Sequence, residues 1–156
     1  MKMRMLLAVC TLFLCPIADA RVGESLDQLK KRWGEPKVIQ TKIETKAYRF
    51  RNGLWVMGVV LHNGKAGYIE YVRLDRESGA PREITNFEVA AVLKLNGKGK
   101  EWKITDQDKG EIYYALPGNN DMWAVYDKSK VTLTVLSLAA GAKAATDAAD
   151  KSVDGL

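Results

Sequence analysis

Apolar and polar positions follow two different periods along this chain, and the switches between them mark short elements. Leu26, Leu29 and Trp33 recur at the spacing of one helix face. Ser25 can accept from the open N–H groups of a first helical turn, and Gln28 three residues on completes a capping box. Gly34 offers the left-handed conformation that ends a helix, and Pro36 prevents continuation. From Ala47 to Arg51 the period falls to two, with Tyr48 and Phe50 on one face and Arg49 and Arg51 on the other. Asn52-Gly53 predicts a two-residue type I′ hairpin. Leu54 to Leu61 is apolar on both faces, as in a central strand. Asn63-Gly64 is a second turn, and Ala66 to Leu74 a third strand.

After a Gly- and Pro-containing connection from Asp75 to Glu83, the pattern starts again. Thr85 and Glu88 form a second capping box, with Ile84 and Val89 as a hydrophobic staple. Phe87, Ala91 and Leu95 share a face, Val92 lies beside them, and Asn96-Gly97 ends the helix. Strands are expected at Trp102–Ile104, Glu111–Leu116, Met122–Tyr126 and Val131–Leu136, the last with Val131, Leu133 and Val135 inward. Pro117-Gly118-Asn119-Asn120 and Asp127-Lys128-Ser129-Lys130 supply turns.

Matched elements recur at a displacement of roughly 60–65 residues, which suggests an internal repeat although identity between the copies is poor. The expected fold is α+β: tandem helix plus antiparallel β-sheet units, with helices packed on one sheet face. It forms a single domain over 21–137, in halves 21–78 and 79–137. The Ala-rich stretch 138–156 has little to bury and is expected to be a flexible tail.

Residues 1–20 read as a signal peptide. Lys2 and Arg4 give a basic start, Met5 to Leu14 is apolar, and Ala18-Asp19-Ala20 offers a cleavage site after Ala20. That apolar run is well short of the ~20 residues of a membrane-spanning helix. The expected location is periplasmic or secreted. Cys10 and Cys15 both lie in this segment, so the remaining 136 of 156 residues contain no cysteine. The formal net charge of +5 becomes +4 once Lys2, Arg4 and Asp19 are set aside. Basic and acidic residues are interspersed, and nucleic-acid binding would need a concentrated basic face.

Catalytic groups are sparse. His62 is the one histidine and stands next to a turn, where it is expected to face solvent, which disfavours a Ser–His pair; with no cysteine after residue 20, a Cys–His dyad and the usual zinc sites have too few residues to form. Asp106, Asp108, Gly110 and Glu111 open like a calcium loop, but Pro117 stands where a ligating Glu is needed and strands flank it. A polar turn fits better. Neither catalytic residues nor a cofactor or metal is expected. The aromatics say more. Four Trp and six Tyr fall mostly in strands; most should fill the core, but consecutive Tyr113 and Tyr114 point opposite ways, so some lie on the far face. Candidate partner-binding residues are Arg49, Arg51, Tyr71, Tyr113 and Tyr126.

The run Gly23-x-Ser25-x-x-x-Leu29-x-x-x-Trp33-Gly34-x-Pro36 resembles the opening motif of the BamE-like (SmpA/OmlA) envelope family. The β-lactamase-inhibitor-protein-like fold shares that helix-then-sheet unit and duplicates it. The resemblance implies protein–protein binding through the sheet surface left uncovered, and carries over no individual binding residue. The functional expectation is an exported, non-catalytic protein-binding module of the bacterial envelope. The alternatives are an assembly factor at the outer membrane and a small periplasmic hydrolase with two carboxylates about 5–10 Å apart.

Overall fold

Both helices form where the caps predict them. In a computed structural model, which describes residues 21–40 and 46–138, α1 spans Leu26–Trp33 and α2 spans Asn86–Asn96. The expected signal peptide, residues 1–20, and residues 139–156 of the expected tail lie outside the described residues. Ser25 Oγ accepts from Gln28 N at 3.3 Å, and Gln28 Oε1 accepts from Ser25 N at 2.8 Å. Thr85 and Glu88 repeat the arrangement at 3.3 and 3.0 Å.

The strands are β1 (Lys37–Gln40), β2 (Lys46–Asn52), β3 (Trp55–His62), β4 (Lys65–Leu74) and β5 (Pro81–Arg82), then β6 (Lys103–Asp108), β7 (Glu111–Leu116), β8 (Asn119–Asp127) and β9 (Thr132–Ser137). They form one nine-stranded antiparallel sheet in the order β1-β2-β3-β4-β9-β8-β7-β6, with β5 paired to the end of β4. Two meanders, β1–β4 and β6–β9, meet where Tyr68–Val72 of β4 pairs in register with Thr132–Leu136 of β9.

This corrects the expected α+β arrangement of tandem helix-plus-sheet units with helices packed on one face. The described chain is a β-rich fold, nine strands against two helices of eight and eleven residues. The β4–β9 ladder leaves no boundary between units, because its hydrogen bonds run continuously from one meander to the next. The helices are adjuncts, each placing a few residues in a core that the strands organise. Leu29 and Trp33 of α1, and Val89, Val92 and Leu93 of α2, join Phe50, Met57, Val59, Ile69, Tyr71, Leu133 and Val135 in that core.

Several local expectations also shift. On α2 the buried stripe is Val89, Val92, Leu93 and Asn96, whereas Phe87 is 78% exposed. A buried asparagine explains the rotation. Asn96 Nδ2 donates to Tyr71 Oη and to Val92 O, each at 3.0 Å, while its Oδ1 accepts from Val22 N at 3.0 Å. Its bonds to Tyr71 and Val92 are buried, so this face turns inward. The first hairpin turns on Gly53-Leu54 with Asn52 paired to Trp55, and only Gly53 has positive φ (57°), the pattern of a type II′ turn. Asn63 and Gly64, at 51° and 75°, make the I′ turn. Strand β6 runs on through Asp106 and Asp108, so the expected polar loop shrinks to Lys109-Gly110. Val131 has φ 52° and belongs to the turn; β9 starts at Thr132.

Glu88 does more than cap α2. Its carboxylate accepts from Arg73 Nε on β4 at 3.0 Å and from Arg82 on β5 at 2.7 and 3.1 Å, while Arg73 also stacks over Trp55 at 5.1 Å. Burial disfavours the charged carboxylate, but hydrogen bonds from Arg82 and Thr85 outweigh it and hold the Glu88 pKa below its ordinary value. The helix is thereby tied to the sheet by charge-assisted bonds as well as by packing.

Three substitutions test this core. Asn96→Ala should cost about 2–3 kcal/mol, because it strands buried partners, and Tyr71→Phe about 1 kcal/mol. Gly97→Ala should cost about 1–3 kcal/mol by overpacking, since an added Cβ would lie 2.7 Å from Trp102 Nε1 and 2.8 Å from Lys100 O. Urea unfolding of the three variants measures these losses.

Candidate functional site

Alternation along each strand sends one set of side chains into the core and the other to the opposite face. The buried residues of both helices belong to the same cluster as the first set, so among the described residues neither helix covers the second set, the open face, and the strand register places its members. One row across the sheet passes Lys37, Arg49, Gly58 and Glu70, then Thr134, Val125, Tyr113 and Asp106. On one side of it lie Val60, Tyr68, Leu136 and Trp123. On the other lie Arg51, Val56, Val72 and Thr132, then Asp127, Glu111 and Asp108.

This face is graded. Across its centre Val60, Tyr68, Leu136 and Trp123 form an apolar and aromatic row, with Val56, Val72 and Val125 nearby and Glu70, Thr132 and Thr134 between them. Trp123 is 40% exposed, and most of its central neighbours are half-buried against one another. The β1–β2 edge is basic through Lys37, Arg49 and Arg51. The β6–β7 edge is acidic through Asp106, Asp108 and Glu111, with Asp127 next to it. Antiparallel sheets with a solvated face normally show polar residues there.

Its polar groups are held in place. Tyr68 donates to Glu70 Oε2 at 3.0 Å; burial, reinforced by the Glu70 charge, pushes the Tyr68 hydroxyl up to about 12. Tyr113 donates to Glu111, a bond that together with partial burial and the charges of Glu111, Asp108 and Asp106 raises its pKa. Lys130 and Ser129 hydrogen-bond the Asp127 carboxylate, with Lys130 Nζ at 2.7 Å, and hold its pKa well below the usual range.

The five candidate residues separate cleanly. Arg49 and Arg51 are exposed on the basic edge, and Tyr113 is half-buried on the open face towards the acidic edge. Tyr71 and Tyr126 are corrections, being 0% and 1% exposed. Tyr71 accepts from Asn96, and Tyr126 Oη bonds both Ile84 N (3.1 Å) and Ile84 O (2.9 Å). Both rings lie on the core side of their strands, where no partner reaches them. Sequence reasoning did not single out Val60, Tyr68, Trp123, Val125 and Leu136 as surface. The usable signal was that β3 is apolar on both faces.

A concavity of about 750 Å³ lies between α2 and the β6–β7 hairpin. Val89, Leu93, Trp102, Ile112 and Tyr114 line it, with Lys94, Lys100 and Lys128 also contributing. Trp102 Nε1 donates to Leu93 O at 2.6 Å and fixes the indole there. His62 is half-buried at the end of β3, with Asn63 Nδ2 at 3.3 Å from its Nε2. Among the described residues, no group of three or more His, Cys, Asp or Glu is placed to hold a metal ion, and no helix is long and apolar enough to cross a membrane.

Tyr68 gives a pH signature. An acid whose pKa is raised in the folded state stabilises fully below its ordinary value and loses that contribution as pH rises through the folded value. Stability should therefore fall between pH 10.0 and about 12. Glu70→Gln should bring the end of that window to lower pH. Phenolate absorbance, followed alongside unfolding, checks both.

No family model matches this chain, and no curated protein does. A crystal structure of a cysteine-rich secretory protein from Staphylococcus aureus is similar over 74% of this chain and 44% of that one, at 13% identity and a TM-score of 0.46. The chain spans under half the length of that protein, and a likeness of this degree carries no functional argument.

Proposed function

We propose that this chain is an exported, non-catalytic protein-binding module of the bacterial envelope, and that its contact surface is the open face of the sheet. The observation that carries the reading is the apolar strip across the centre of that face: Val60, Tyr68 and Leu136 meeting Trp123 and Val125. Half-buried aromatics flanked by arginines are the residue types that anchor protein interfaces. Export is supported by the basic start, apolar run and small-residue site within residues 1–20. An envelope role is supported by the Gly23-to-Pro36 motif and its resemblance to BamE-like proteins. A non-catalytic role is supported by the single histidine and by the confinement of both cysteines to the leader.

Affinity capture from an envelope extract tests the reading. The wild-type protein should recover a specific protein that Trp123→Glu loses by at least about tenfold, a loss of the size expected for an interface hot spot. Phe87→Glu, on the exposed side of α2, should retain it. Equal recovery by all three proteins would overturn the reading.

A further inference from the structure

We propose that the open face closes on a second copy of this chain, forming a two-fold dimer whose axis runs parallel to the strands over the β4–β9 junction. The inference rests on the reading of that face as a protein-binding surface, and names its occupant.

Charge complementarity under symmetry selects this geometry. A two-fold contact apposes one patch with itself, so the patch must be self-complementary. An axis across the strands would lay each strand over its own copy, placing Arg49 and Arg51 against the same arginines. An axis parallel to the strands lays β1 over β6, β2 over β7, β3 over β8 and β4 over β9, because the strand order is symmetric about the β4–β9 junction. The basic edge of each copy then meets the acidic edge of the other. Register brings Lys37 opposite Asp106, and Arg51 opposite Glu111. Lys103 and Lys130 sit among these acids and only partly offset them.

The row through Val60 fits as well, while the same register sets Glu70 opposite Thr134 and Val56 opposite Asp127. Val60 comes to face Trp123, and Tyr68 faces Leu136, apolar against apolar. Gly58, with no side chain, faces Val125, leaving room for it. Packed sheets keep their strands within about 30° of each other, so these pairs meet as neighbours despite the twist.

The area is sufficient. Eight strands spaced about 4.8 Å apart span about 34 Å, and six residues at about 3.3 Å give about 20 Å. The face is thus roughly 700 Å² per copy, or about 1,400 Å² for the pair, within the standard range for a stable interface.

Sedimentation velocity on the purified protein tests the proposal. The wild type should be dimeric at about 10 μM, in the range open to interfaces of this size, and should weaken as salt rises, since screening acts on the exposed edges. Arg49→Glu with Arg51→Glu makes both edges acidic, and Asp108→Lys with Glu111→Lys makes both basic. Each double variant alone should dimerise at least about tenfold more weakly, because like charges then meet at both edges. An equimolar mixture of the two should restore dimerisation, because every edge contact in the mixed dimer again joins opposite charges. Circular dichroism and unfolding midpoints confirm folding, and the salt series requires no variant.

A wild type that stays monomeric overturns the inference, as does a dimer insensitive to both variants, or a loss that mixing fails to rescue. A monomer that still shows Trp123-dependent capture from envelope extract removes the second copy but leaves the binding surface standing. A monomer without such capture removes both.

Discussion

The pairing of β4 with β9 is the constraint on which the other features depend. Five residue pairs, from Tyr68–Leu136 to Val72–Thr132, join two meanders into one sheet. On one side of that ladder Ile69, Tyr71, Leu133 and Val135 have no exposed surface, and they form the middle of the core. On the other side Tyr68, Glu70, Val72, Thr132, Thr134 and Leu136 form the middle of the open face. Period-two geometry makes the two outcomes inseparable. A slip of one residue would exchange core for surface, and the buried rings hold the register against it.

Buried polar groups then fix what the hydrophobic effect alone would leave loose. Asn96 joins the N-terminal segment, α2 and β4 through Val22 and Tyr71. Tyr126 ties β8 to the chain entering α2 through Ile84, and Glu88 joins α2 to Arg73 and Arg82. Apolar packing tolerates many arrangements of similar volume, whereas a satisfied buried amide or carboxylate has few. The short helices are therefore positioned by these anchors, and the opposite face of the sheet remains uncovered by either of them.

The local grammar was readable because it is local. Ser25, Thr85, Gly34 and Asn63-Gly64 act within three or four residues, and each cap or turn forms where its chemistry requires. Apart from the Asn52-Gly53 turn, which forms one residue later on Gly53-Leu54, the failures arise from long-range effects. Phe87, Ala91 and Leu95 share a helical face, but Asn96 finds partners dozens of residues away and rotates α2. Gly97 ends its helix with φ −77°, so it is needed for space beside Trp102 and not for a left-handed turn. Tyr71 and Tyr126 were plausible surface residues until register assigned them to the core. The same register places Arg49 and Tyr113 on the open face. Asp106 and Asp108, readable only as a polar turn, lie on an edge strand because β7 pairs with them.

A protein that spends Val60, Tyr68, Trp123, Val125 and Leu136 on the face opposite its core carries a hydrophobic cost that a partner would offset. The most direct measurement is solvent paramagnetic relaxation in solution, read residue by residue as protein concentration is raised. The account predicts that Val60, Tyr68, Val125 and Leu136 lose relaxation enhancement together, while Val38 and Phe87, exposed elsewhere, keep theirs. Unchanged enhancement across the open face, or protection that falls on Phe87 and α2 instead, would contradict it.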